Sequence, residues 1–178
     1  MLSIAPSLRL VLEDSEFAPS GQPAWTTERA LDFAHHKGVE AEIPAVLQAL
    51  AGAMERAPYP WFAKRLGVLW TMFMVGRSVD DRDLTVWMAE AANLLCDLPH
   101  DIVAFAIDEA IRKSPHGFIP SVGEIRRHAD PLAAERRQHI ERLERMKAAL
   151  EDGAATAARS QRRAQQDAHR RDMARFEK

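Results

Sequence analysis

Large apolar residues recur every three or four positions through the middle of the chain, which is the spacing of one buried helix face. This spacing predicts helices over residues 27–37, about 42–56 and 61–75, a fourth that carries the apolar residues from Leu84 to Leu95, a further helix after Pro99, and a short one over 121–129. The sequence therefore predicts an all-α fold. We expect a compact bundle of about five to six helices, followed by a long polar C-terminal helix or a disordered tail.

Residues that start and stop helices stand at the ends of these patterns. Thr26 or Thr27 can cap the first helix, and Gly38 stands where a C-terminal glycine ends one. Asp80 or Asp81 can cap the helix that carries Leu84 to Leu95, and Pro99 suits the first turn of the helix that follows. These residues predict where the helices begin and end.

The sequence Ser121-Val122-Gly123-Glu124 has the form of a capping box, in which each end side chain satisfies a backbone N–H group of the other. It predicts the short helix 121–129, which we expect Pro131 to interrupt. Beyond Pro131 the polar pattern predicts a second helix over 132–152, about 30 Å long at 1.5 Å per residue.

Composition divides the chain into three parts. Residues 1–24 contain Pro6, Pro19 and Pro23 around one short apolar patch, so we expect an extended arm that docks on the domain or pairs as a lone strand. Residues 25–130 hold the helical domain. Residues 131–178 form the long charged helix and basic tail.

Charge follows the same division, because residues 1–130 carry 12 basic and 18 acidic residues while residues 131–178 carry 12 basic and 8 acidic ones. The net charge of −2 argues against an electrostatic nucleic-acid binder as a whole, so any basic surface is local. Beyond Gly153 only Met173 and Phe176 are large and apolar. Such a segment is disordered or a frayed helix by itself, and its order is expected to depend on a partner.

The sequence contains no pattern typical of a catalytic or metal site. The seven histidines lack zinc-ligand spacing, no glycine-rich loop precedes a Lys-Ser or Lys-Thr pair, and Asp101 and Asp108 fit a charged outer helix face. Trp70 and Trp87 lie within apolar helical stripes and are expected in the core rather than stacked on bases. We expect a protein that is not an enzyme, with no metal and no cofactor.

The single cysteine, Cys96, lies in an apolar run and is expected to be a buried thiol in a reducing compartment. The first residues lack the basic start of a secretory signal, and no apolar run approaches the length of a membrane span. A cytoplasmic protein without a membrane partner is the expectation.

Residues 58–125 carry a set of short motifs, most of them at helix starts and one, Trp70, within a helix. They are Tyr59-Pro60, Trp70, Asp80-Asp81, Leu98-Pro99-His100-Asp101-Ile102-Val103 and Phe118-Ile119-Pro120-Ser121-Val122-Gly123-Glu124-Ile125. With these motifs the segment resembles the small helical domain of phage replicative-helicase loader and inhibitor proteins. The chain departs from that family in its 24-residue arm, its extra helix over 27–37 and the length of its arginine-rich tail.

The resemblance implies a compact helical domain and a C-terminal region that orders on contact with a hexameric replicative helicase. We therefore expect a non-enzymatic DNA-replication accessory factor that loads or inhibits such a helicase. From the charge division and the tail composition, the residues expected to contact the partner are Arg136, Arg137, Ile140, Leu143, Met146, Arg162, Arg163, Arg170 and Arg171.

Two alternatives from other classes stay open. One is a phage or prophage DNA-binding regulator whose arginine-rich tail contacts phosphates, with an affinity that falls steeply with salt. The other is an assembly protein that dimerises through a short heptad pattern at His139, Leu143, Met146 and Leu150. The sequence leaves the oligomeric state open.

Overall fold

A computed structural model describes the backbone of residues 4, 6–13, 25–74, 80–114 and 117–176. Side chains are described for the same residues except residues 7, 81 and 167–176. Val75 and Gly76, the expected end of one helix, lie outside the described residues. So do Pro19 and Pro23 of the expected arm.

The described residues form α-helices and one short 3₁₀ turn, so the predicted all-α fold is confirmed. In this part of the chain the only strand-like pairing is an isolated bridge between Arg56 and Pro99. The helices are α1 Pro6–Leu12, α2 Thr27–Lys37, α3 Ile43–Gly52, α4 Tyr59–Phe73, α5 Asp81–Leu95, α6 His100–Lys113 and α7 Val122–Phe176, with the 3₁₀ turn at Glu40–Glu42.

The predicted helix ends are largely confirmed. The Thr26 hydroxyl accepts a hydrogen bond from the Arg29 backbone N–H at 3.3 Å and caps α2. Gly38 ends the same helix in the left-handed region at φ 67°, where glycine has no side chain to clash. The Asp80 carboxylate accepts from the Arg82 N–H at 3.0 Å and caps α5.

The capping box is also confirmed. The Glu124 backbone N–H donates to the Ser121 hydroxyl at 3.2 Å, and the Ser121 backbone N–H donates to the Glu124 carboxylate at 2.7 Å. The pKa of Glu124 is lowered, mainly because its carboxylate accepts the Ser121 backbone and hydroxyl hydrogen bonds. The box fixes the start of α7.

The extended conformation expected for the arm is wrong for residues 6–12, which are helical. Leu8, Val11 and Leu12 are all buried, and they stand three and four residues apart. That spacing is the helical one, and Pro6 is tolerated because it occupies the first turn. The prolines of the segment predicted an extended chain, whereas the helical spacing of Leu8, Val11 and Leu12 indicates the helix that is observed.

The interruption expected at Pro131 is likewise wrong, because α7 continues through it as one helix. Proline removes the hydrogen bond to the carbonyl four residues earlier and costs about 3 kcal/mol in a helix interior. Ala129 and Ala133 on either side are fully buried, while Pro131 itself is exposed. Packing on both sides of the proline therefore holds the helix together.

The expected helix 42–56 is shorter than predicted and ends at Gly52.

The chain divides into two compact units, one of residues 1–4 and 45–140, the other of residues 5–44 and 141–178. The three-part division predicted from composition stays a prediction. The core of the first unit comes from α4, α5, α6 and the first turns of α7. Its largest fully buried side chains are Phe62, Leu66, Leu69, Leu95, Leu98, Ile102, Ile107 and Ile125. Trp70 and Trp87 are half-buried, with ring centroids 5.2 Å apart.

In the second unit, the C-terminal end of α1 is held by two side chains. The Trp25 indole N–H donates to the Val11 carbonyl at 3.0 Å, and Arg142 on α7 donates to the Leu12 carbonyl. The Arg142 guanidinium also lies 4.8 Å from the centre of the Trp25 ring. These bonds satisfy carbonyls that the helix end leaves without a partner, which is how so short a helix is stabilised.

Candidate partner-binding surface on α7

All nine residues expected to contact a partner lie on α7, but the structure gives them different environments. Arg136 is only 6% exposed. Its two terminal nitrogens donate to the two carboxylate oxygens of Asp101 at 2.7 and 2.8 Å, and one also donates to the Ala53 carbonyl at 2.6 Å. Arg136 therefore connects parts of the first unit instead of lying on its surface.

Leu143 and Met146 are fully buried among the described residues. His139 is 6% exposed and Leu150 is half-buried, so three of the four residues of the short heptad pattern are covered within the chain itself. Ile140 is half-buried and Arg137 is exposed. Whether these residues contact a partner stays a prediction, and the exposed positions are the ones that a partner reaches without rearrangement of the chain.

The part of α7 that follows Leu150 has a different character. Every residue from Glu151 to Gln166 is exposed, although the backbone stays helical throughout. Alanine, arginine and glutamine dominate this stretch, and all three have high intrinsic helix propensity. Propensity, not packing on a buried face, therefore accounts for this part of the helix.

Three exposed arginines, Arg159, Arg162 and Arg163, stand on this stretch. The Arg159 Nε donates to the Ala155 carbonyl one turn earlier at 3.2 Å, which orients its guanidinium along the helix. Arg170 and Arg171 continue in the same helix, but their side chains are outside the described part. The structure thus brings one of the expected arginine pairs to an exposed helix surface.

Hydroxyl groups accompany these arginines. A shallow recess of about 230 Å³ on α7 is lined by Thr156, Arg159, Ser160 and Arg163. Guanidinium and hydroxyl groups are hydrogen-bond donors, and both types commonly bind phosphate oxygens. The recess is therefore a place where an anionic group can be held.

A second candidate surface is an apolar groove between α4 and α5, of about 660 Å³. Its lining residues are Ala63, Gly67, Val68, Thr71, Met72, Leu84 and Met88. Val68 is 44% exposed and Met72 56% exposed. The groove was not predicted, because the sequence pattern of α4 shows large apolar residues on several sides without saying which sides are covered.

An ion pair connects the end of α5 to the start of α7. The Arg126 guanidinium bonds both carboxylate oxygens of Asp97 at 2.8 and 2.9 Å. Mainly through its hydrogen bonds, Arg126 holds the pKa of Asp97 below its ordinary value, and the pKa of Arg126 is raised in turn. The pair is partly exposed, and its geometry is bidentate.

Cys96 is exposed, so the expected buried thiol is wrong. The buried positions at the end of α5 are Ala91, Ala92 and Leu95. Cys96 follows the last of them and falls off the buried face, where its thiol donates to the Asn93 carbonyl at 3.1 Å. An apolar run in the sequence does not reveal this change of face at a helix end.

The described side chains include no group of three or more His, Cys, Asp or Glu residues placed to hold a metal ion. No helix within the described ranges is long and apolar enough to cross a membrane. Comparisons with protein-family models, curated proteins and solved structures found no match. Function is therefore inferred from this chain's own residues.

Proposed function

We propose that the protein is a non-enzymatic DNA-replication accessory factor that binds a hexameric replicative helicase, as a loader or an inhibitor, through the part of α7 beyond Leu150. One observation carries the proposal. Residues 151–166 form a helix that is exposed on every side. Packing adds little to the stability of an exposed polar helix. A partner that binds such a helix therefore stabilises it further.

The resemblance of residues 58–125 to helicase loaders and inhibitors supports the choice of partner. Most residues that carry the resemblance lie at helix starts of the first unit: Tyr59 and Pro60 open α4, Pro99 precedes α6, and Ser121 caps α7. They therefore explain the fold of this unit. The proposed helicase contact lies elsewhere, on the helix that extends from it in sequence.

The last turns of α7 supply the residue types that a protein contact needs. Met173 and Phe176 are the large apolar residues beyond Leu150, and Arg170 and Arg171 precede them. Arginine and large apolar residues are the common anchors of protein interfaces. We propose that these four residues make the central helicase contact.

Co-purification tests the proposal. The purified cognate replicative helicase is incubated with the tagged full-length chain after nuclease treatment, so that DNA cannot bridge the two. We expect the helicase to be retained by the unaltered chain and lost when Arg162, Arg163, Arg170 and Arg171 are all replaced by alanine.

A matched variant controls for charge. Replacing the exposed Arg56, Lys64, Arg82 and Arg127 by alanine removes the same formal charge from positions outside residues 151–176. Retention of the helicase by this variant, together with loss in the first, supports the proposal. No retention by the unaltered chain, or equal retention by both variants, contradicts it.

A further inference from the structure

The segment of α7 from Gly153 to Gln166 contains three arginines and no acidic residue. Arg159, Arg162 and Arg163 stand three and four residues apart and therefore share one face of the helix. We propose that this face binds the phosphate backbone of duplex DNA. The inference goes beyond the proposed function, because it requires no helicase.

The chemistry of the face matches phosphate. Arg159 and Arg163 line the recess together with the hydroxyls of Thr156 and Ser160. The Arg159 bond to Ala155 uses Nε, one of the five N–H groups of a guanidinium. Arginine, serine and threonine supply many of the hydrogen bonds by which proteins hold DNA phosphates.

The same face lacks the large apolar anchors that a protein groove binds, which beyond Leu150 the sequence carries at Met173 and Phe176. Recognition of a helix by a groove needs apolar anchors at three- and four-residue spacing. Between residues 151 and 166 the apolar side chains are all alanines, apart from the glycine at 153. A partner that binds this part of the helix must therefore act mainly through charge and hydrogen bonds, which polyphosphate backbones offer in regular array.

Duplex DNA fits better than a single strand. Proteins that hold single strands stack bases on aromatic side chains, and the sequence from residue 151 to residue 175 has no aromatic side chain other than His169. The major groove of duplex DNA is about 12 Å wide and admits an α-helix. Alanines at 154, 155, 157, 158 and 164 keep this helix narrow enough for close approach.

The charge of the whole chain determines which part of it can attract DNA. The net charge is −2, so attraction to DNA comes from this face and not from the protein as a whole. Each phosphate that the protein neutralises adds about 0.9 to the slope of log affinity against log salt concentration. Three arginines therefore account for roughly 3 units of slope.

Fluorescence anisotropy of the full-length chain with a short labelled DNA duplex, in salt from about 50 to 200 mM, measures the affinity for DNA and its dependence on salt. We expect duplex binding that weakens steeply with salt. Replacing Arg159, Arg162 and Arg163 by glutamine lowers the slope by roughly 3 units and the affinity at the lowest salt by about tenfold or more. Circular dichroism verifies that the variant remains helical.

Two control variants complete the design. Lysine at the same three positions keeps the charge and is expected to keep most of the slope. Glutamine at Arg56, Arg82 and Arg127 removes equal charge elsewhere and is expected to leave the slope unchanged.

Three results overturn the inference: no duplex binding by the unaltered chain, an unchanged slope in the glutamine variant of this face, or an equal loss in the second control. A single strand bound as tightly as the duplex overturns the assignment to duplex DNA. Because only protein and DNA are present, none of these results bears on helicase binding, which the co-purification decides separately.

Discussion

Arg136 on α7 and Asp101 on α6 form a bidentate ion pair, with nitrogen–oxygen distances of 2.7 and 2.8 Å and the arginine 6% exposed. The same guanidinium donates to the Ala53 carbonyl. A nearly buried arginine with both its carboxylate and its carbonyl acceptor in place is costly to remove, because its loss takes a strong donor from two partly buried acceptors. The pair therefore serves the fold of the first unit.

Replacing Arg136 by alanine is expected to lower the free energy of unfolding by about 2–4 kcal/mol, since it leaves the partly buried Asp101 carboxylate and the Ala53 carbonyl without this donor. Chemical denaturation of the full-length chain measures the change. Arg137→Ala, at the exposed neighbouring position, is the matched control, with an expected change within about 0.5 kcal/mol. Equal effects of the two substitutions would contradict the assignment of Arg136 to the interior.

The Asp97–Arg126 pair makes stability depend on pH in the acid range. The pKa of Asp97 is lowered from 3.8, first by its hydrogen bonds with Arg126, so the folded chain binds fewer protons there than the unfolded chain. The stabilisation is fully present above pH 3.8 and is lost as the pH falls through the lower pKa of the folded state.

Asp97→Asn is therefore expected to flatten the fall of the free energy of unfolding below pH 3.8, measured by denaturation at a series of pH values. Arg126→Gln removes the partner of the same carboxylate and is expected to flatten the same part of the curve. The double variant should add little to either single one. An unaltered pH dependence in Asp97→Asn contradicts this account of the pair.

The capping box gives a prediction at the start of α7. Ser121→Ala removes the hydroxyl that accepts from the Glu124 N–H and is expected to cost about 1 kcal/mol of stability. Ser160→Ala, in the exposed part of the same helix, replaces a serine by a better helix former and is expected to cost nothing. Thermal denaturation of both variants measures the difference, and a cost at Ser160 equal to that at Ser121 would count against the cap.

The exposure of Cys96 is tested with a thiol reagent. We expect the single thiol of the native chain to react with a chromogenic disulfide without denaturant, because its side chain reaches solvent at the end of α5. Cys96→Ser removes the signal and identifies the reacting group. A thiol that reacts only after denaturant is added would show that Cys96 is buried in the native chain.

Local signals account for most of what the sequence predicted correctly. Thr26, Gly38, Asp80 and the Ser121–Glu124 box act through bonds to residues within five positions, so their roles can be recognised without tertiary structure. The helical periodicity likewise predicted the all-α fold. These features depend on short-range geometry, which the sequence displays directly.

The sequence predictions were wrong where tertiary contacts determine whether a helix forms or a side chain is buried. The continuation of α7 past Pro131 depends on packing around Ala129 and Ala133, and the short helix α1 depends on bonds from Trp25 and Arg142. Arg136 was expected to contact a partner, and its bond to Asp101 was missed because the two residues lie 35 positions apart in sequence. No local pattern distinguishes Arg136 from the exposed Arg137, so the sequence places the candidate residues on one helix without showing which of them are buried.

Hydrogen exchange followed by mass spectrometry is the most direct test of the proposed helicase contact on the exposed part of α7. Amides of residues 151–166 are expected to exchange quickly in the chain alone, since every residue of that stretch is exposed and no packed face holds the helix closed. On addition of the purified cognate helicase the account predicts strong protection of residues 151–176. Protection confined to residues 45–140, or no protection anywhere, would contradict it.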